Sequence, residues 1–131
     1  MGTPARADSD EGQPIPSAMH VRDEGPGLAV ARFVGRVDVS SVHEQREQLL
    51  VLLDKGYKFF VADLTSISFL DSAGMAMLVS LLKRSRQAGG DIRVVQPNDE
   101  SVRRILKLTR LDLVFNLVER VDTAIETLAK R

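Results

Sequence analysis

Apolar runs of strand length alternate with segments of helical period through most of this chain, and that alternation restricts its fold more than any other feature. Residues 57–64 (YKFFVADL) form an apolar run without a polar helical face, as expected of a strand covered on both sides. Farther on, Met75, Leu78, Val79 and Leu82 recur at i, i+3, i+4 and i+7, a helix signature. Gly89-Gly90 ends that helix. The rest of the chain follows suit. Val21 sits in a first short strand, and the turn Glu24-Gly25-Pro26-Gly27 leads to a strand over residues 28–37, rich in Val30, Phe33, Val34 and Val37. Residues 38–41 offer capping side chains, and Leu49, Leu52 and Leu53 follow at helical spacing up to Asp54, with Lys55-Gly56 as terminator. A loop containing Ile67 and Phe69 precedes Asp71. Residues 92–95 read as a strand, 101–109 as a helix through Val102, Ile105 and Leu106, 115–118 as a last strand, and Ala124, Ile125 and Leu128 as part of a terminal helix. The predicted order is β-β-α-β-α-β-α-β-α. It implies an α/β fold with a mixed, largely parallel sheet of four or five strands, antiparallel at its first hairpin, and about four helices. Periodicity does not say whether helices cover one face or both.

Residues 1–18 hold three of the five prolines and almost no large apolar side chain. Such a segment buries too little surface to offset its ordering entropy, so a flexible tail is expected ahead of a domain over residues 19–131. The tail carries Asp8, Asp10 and Glu11 against Arg6 and lacks the basic start and apolar stretch of a secretory signal. No apolar run approaches the ~20 residues of a membrane-spanning helix, so a cytoplasmic location without membrane insertion is expected. Eighteen basic residues balance eighteen acidic ones, which argues against direct nucleic-acid binding. Arg103, Arg104, Lys107 and Arg110 do make one basic helix face, read as solvated. The absence of cysteine excludes disulfides, thiolate catalysis and cysteine-based zinc sites.

One segment exceeds what folding requires. Asp71-Ser72 stands where a strand-to-loop segment meets a helix, and residues 73–79 of that helix contain nothing charged. An acid or hydroxyl in this place is commonly just an N-cap. An uncharged first two turns, however, must be buried on most sides or present an apolar patch to a partner. Gly74 inside the first turn suggests close backbone approach. Met75 lies on the Leu78/Leu82 stripe and reads as core, whereas Met77 leaves that stripe and reads as the better contact for a partner, for which methionine is adaptable.

Together these elements resemble a STAS domain, the fold of bacterial anti-sigma factor antagonists. The resemblance rests on Asp63-Leu64 ending an apolar strand, Asp71-Ser72-Ala73-Gly74 opening a helix, Gly89-Gly90, the strand at 92–95, and Leu111 through Phe115. Upstream, Gly35-Arg36-Val37-Asp38 resembles the step that precedes the family's first helix. The similarity covers about residues 20–130. It implies that Ser72 is phosphorylated by a partner anti-sigma factor, itself a serine kinase of the histidine-kinase-like ATPase fold, and that a serine phosphatase reverses this. Unmodified antagonist would bind that partner and release the sigma factor. By position, Asp71 is the neighbouring acid and Asp38 faces the same docking region, giving a partner-binding set of Asp38, Asp71, Ser72, Gly74, Met75 and Met77. Ala73 stands where the family often has a second hydroxyl residue, which removes an alternative acceptor and leaves Ser72.

Other functions fare less well on the residues. His20 and His43 are the only imidazoles, and His43 falls among Glu44, Gln45 and Glu47. Neither metal-ligand spacing, nor a nucleophile–base pair, nor a P-loop is visible, so no catalytic residue, metal or cofactor is expected. The resemblance leaves one rival: STAS domains also serve as docking subunits of lipid-transport ABC systems and of stress-signalling assemblies, without need of a phosphoswitch.

Overall fold

The computed structural model describes residues 16–130. Strand β1 (Ala18–Asp23) and strand β2 (Leu28–Val37) form the antiparallel hairpin, and helix α1 (Val42–Asp54) leads to β3 (Phe59–Leu70). Helix α2 (Ser72–Gln87), strand β4 (Asp91–Val95) and helices α3 (Glu100–Leu108), α4 (Leu111–Phe115) and α5 (Val121–Ala129) complete the chain. The four strands lie in the order β1-β2-β3-β4, with β2, β3 and β4 parallel. The fold is therefore the mixed, largely parallel α/β sheet that the alternation implies.

The expected tail over residues 1–18 falls outside the described residues as far as residue 15. Ala18 already belongs to β1, paired with Val34, and the Ser17 hydroxyl donates to the Arg36 carbonyl at 2.7 Å.

Two elements differ from the sequence reading. Strand β3 runs six residues past Leu64, through the segment expected as a loop. Its pairing with β2 continues to Val37↔Leu70, across register shifts near Arg32/Val34 and Gly35/Arg36. The shifts let Ile67 and Leu70 turn into the core, 3% and 1% exposed, although Thr65, Ser66 and Ser68 give the segment a loop's composition. The second difference is the last strand expected at 115–118. Phe115 instead ends α4, Asn116 takes a left-handed conformation (φ 52°), and only Val118 reaches the sheet, in a single parallel bridge to Val95. The Val118 N–H donates to Val94 O and the Gln96 N–H to Val118 O, both at 2.9 Å. One bridged residue is all that the short helix leaves for a fifth strand.

Helices cover both faces unequally. Ala29, Ala31 and Phe33 of β2, Phe60, Ala62 and Leu64 of β3, and Ile92 and Val94 of β4 share the main core with α1 to α4. The alternate residues Leu28, Val30, Val61 and Val95 meet Ala124 and Leu128 of α5 in a smaller second core. This is the period-2 alternation of a strand read out on two faces.

Candidate functional site

The carboxyl ends of β2 and β3 carry the β2–α1 loop and the head of α2, and these two segments are tied together by Asp71. Its backbone is extended, as an N-cap requires, and Oδ1 accepts the Gly74 N–H at 2.9 Å. Oδ2 accepts the Val39 N–H at 3.0 Å, and the Asp71 N–H donates to the Val37 carbonyl at 3.3 Å. One carboxylate thus caps a helix and clamps a loop from another element.

Ser72, the first residue of α2, is exposed. Among the described residues its hydroxyl makes no hydrogen bond. The first turn of α2 holds no acidic side chain, while Arg84 and Arg86 lie in the last turn. Apart from the Asp71 cap, then, the first turn itself carries no anionic side chain to offset the partial positive charge of the helix start. On the next turn Ala76 is also exposed.

Asp38 belongs to the loop but not to its outer surface: it is 6% exposed. The Ser40 hydroxyl and N–H both donate to its Oδ1, at 2.6 and 3.0 Å, and Arg36 Nε donates to Oδ2 at 2.9 Å. The Ser40 hydroxyl, then Arg36, hold its carboxyl below the ordinary value against the opposing effect of burial. The Arg36 guanidinium in turn stacks on Phe69, 3.9 Å from the ring centroid. Asp38 shapes the loop from within.

Gly74 and Met77 are corrected as contact residues. Gly74 is buried, and a Cβ there would sit 2.4 Å from the Val37 carbonyl oxygen; the glycine allows α2 to start against the end of β2. Met77 is 2% exposed. It lies with Leu81 in the seam against Leu49 and Leu53 of α1, a second buried side that the Leu78/Leu82 stripe does not disclose. Met75 is the more open of the two methionines, half-buried at the margin of the main core.

The sequence reading missed Val39, which is 75% exposed. It falls within residues 38–41, which the sequence reading credited only with capping side chains. The strand ends at Val37, so the next apolar residue has no face to enter. The basic helix face is mixed in sign: Arg103, Arg104 and Lys107 share an open depression with Glu100 and Asp112.

Ser72 is thus displayed at the head of α2, beside a loop clamped by Asp71, at the carboxyl end of an open mixed sheet. The chain belongs to the STAS domain family, whose model matches residues 21–124. A Thermotoga maritima protein provisionally named as an anti-sigma factor antagonist is 32% identical over 79 residues, 60% of this chain and 69% of its own. The solved structure of an anti-sigma factor antagonist from Mycobacterium paratuberculosis superposes with a TM-score of 0.76 at 23% identity, covering 87% of this chain and 95% of that one. The unphosphorylated form of SpoIIAA, also described as an anti-sigma factor antagonist, gives 0.76 at 17% identity over 87% and 98% of the two chains. Its phosphorylated form, from Bacillus, gives 0.68 at 16% identity over 84% and 98%. At such identities these structures establish likeness of fold.

Proposed function

We propose that this protein is an anti-sigma factor antagonist whose docking is controlled by phosphorylation of Ser72. The observation that carries the reading is the exposed Ser72 hydroxyl at the start of α2, with uncharged Val39, Ser40 and Ala76 as its exposed neighbours on the two clamped segments. The names of the relatives and the existence of SpoIIAA in both phosphorylation states support it.

The physics of the switch is local. Unmodified, the patch offers a partner a neutral hydroxyl and small apolar groups. A phosphate would bring about −1.5 to −2 charges and strongly hydrated oxygens. The free N–H groups at the helix start can accommodate the anion, so the domain stays folded. A partner surface shaped for the neutral patch would have to bury that dianion unpaired, at several kcal/mol. Asp71, one residue away, adds like charge. The partner in this reading is an anti-sigma factor with serine-kinase activity of the histidine-kinase-like ATPase fold, opposed by a serine phosphatase, and the site operates in the cytoplasm without a cofactor.

The test uses such ATPase-fold kinases from the same genome, with affinity measured for wild type, Ser72→Ala and Ser72→Asp, and mass analysis after incubation with ATP. Ser72→Ala should bind as wild type does and take up no phosphate. Ser72→Asp should bind at least about 100-fold more weakly, the equivalent of about 2.7 kcal/mol. Equal affinity of all three chains for a kinase that binds wild type rejects the switch.

A further inference from the structure

The Asp71 carboxylate spends both oxygens on backbone donors from different elements, Gly74 N–H at the head of α2 and Val39 N–H in the β2–α1 loop. Val39 is the residue of that loop with most to gain from being held. Its side chain is 75% exposed and packs on no core, so the backbone alone decides where this apolar group stands. Its neighbours are anchored separately: Ser40 by Asp38 Oδ1, and Ser41 and Val42 by the Asp38 carbonyl at 2.9 Å each. Among the described residues, the Val39 N–H has Asp71 as its one hydrogen-bond partner.

Ser72 follows Asp71 in the chain, so anything added to its hydroxyl lands beside this clamp. We propose that Asp71 is a positioning residue that carries the state of Ser72 to Val39: a phosphate at Ser72 weakens the Asp71–Val39 clamp and frees the loop that presents Val39 to the partner. This rests on the reading of Ser72 as the modified residue and adds a regulation of the same site. A dianion next to the carboxylate repels it. The phosphate oxygens also compete for the first-turn N–H groups that Asp71 now caps. Both effects favour movement of the Asp71 side chain, and Val39 is the donor that loses most, because it belongs to another element. The switch then removes an apolar contact as well as adding charge.

The full chain with phosphoserine installed at position 72 during translation is compared by 15N NMR with the unmodified chain, Ser72→Ala and Asp71→Asn. Asparagine has one acceptor oxygen where aspartate has two, so it can cap Gly74 but cannot also hold Val39. The Val39 amide is expected to exchange with solvent on the order of tenfold faster in the phosphoserine chain and in Asp71→Asn. Gly74 should stay protected in Asp71→Asn, and Ser72→Ala should match the unmodified chain. Unchanged Val39 exchange in the phosphoserine chain overturns the proposal. Should Asp71→Asn fold poorly, the phosphoserine and Ser72→Ala chains suffice, since both retain Asp71. No partner enters the measurement, so loss of partner affinity on phosphorylation with Val39 undisturbed would defeat the coupling and leave the Ser72 switch standing.

Discussion

At Gly74 the backbone of α2 comes so near the end of β2 that a methyl group has no room. A Cβ there would lie 2.4 Å from the Val37 carbonyl oxygen and 2.7 Å from Leu70 Cδ1. Helix propensity favours alanine over glycine by about 1 kcal/mol. The nearest obstacle is backbone, which has no rotamer to escape into, and overpacking of this kind destabilises by about 1–3 kcal/mol. The steric effect is the larger. Gly74→Ala is therefore expected to lower the urea midpoint, with a net loss of up to about 2 kcal/mol; a raised midpoint would show that α2 can slide off β2. Magnitudes also decide what Asp71 can do. Repulsion between its carboxylate and a neighbouring phosphate, at an exposed site, is on the order of 1–3 kcal/mol, the same range as the net worth of a hydrogen bond to a charged acceptor. The clamp on Val39 is thus within reach of the proposed phosphorylation. Of these residues, the placing of Asp71 and Ser72 at the start of a helix is legible in the sequence because it is a local position. Met77 and Val39 are not, since the burial of the one depends on where α1 lies and the exposure of the other on how the β2–α1 loop is held.

Strand β3 shows the same division between local and distant causes. Its first half is an apolar run that announces itself, whereas its second half alternates polar and apolar residues irregularly and reads as loop. Pairing with β2, not composition, makes it a strand: Gly35 and Val37 align with Ile67 and Leu70, and Ser66 accepts from Arg32 Nη2 of β2 at 3.0 Å. The length of β3 carries the chain to Asp71 at the level of the β2–α1 loop. Substitutions separate the two descriptions of this segment. In a loop, Ile67→Ala would resemble any surface change, within about 0.5 kcal/mol. In the strand, Ile67 is 3% exposed and sits in the main core, and its truncation should destabilise by about 2–4 kcal/mol. Ser68→Ala, at an exposed neighbour, should change stability by less than about 0.5 kcal/mol. Urea unfolding of the two variants provides the comparison, and equal midpoints would contradict the strand.

For the whole molecule, the two faces of the sheet do different work. The main core joins the strands to α1 and α2, and through them holds the β2–α1 loop and Ser72 in relation. The second core rests on six buried residues, Leu28, Val30, Val61, Val95, Ala124 and Leu128, of which only the last two belong to α5. Alternation along the strands fixes which residues face each way, but no periodicity in the sequence states that a single terminal helix covers the second face. That follows from connectivity: α4 is short, Val118 makes one bridge to Val95, and α5 is then delivered to the side opposite α2. A helix held by so few buried side chains is the natural unit of partial opening. Leu128 is 2% exposed, and Leu128→Ala should destabilise by about 2–3 kcal/mol. Because the cores are separated by the sheet, amide exchange in that variant should rise in α5 and at Val118 while Val39 and Gly74 keep their wild-type protection. Faster exchange at Val39 would mean that the sheet transmits strain between its faces, and the proposed docking surface would then depend on a helix packed on the opposite face.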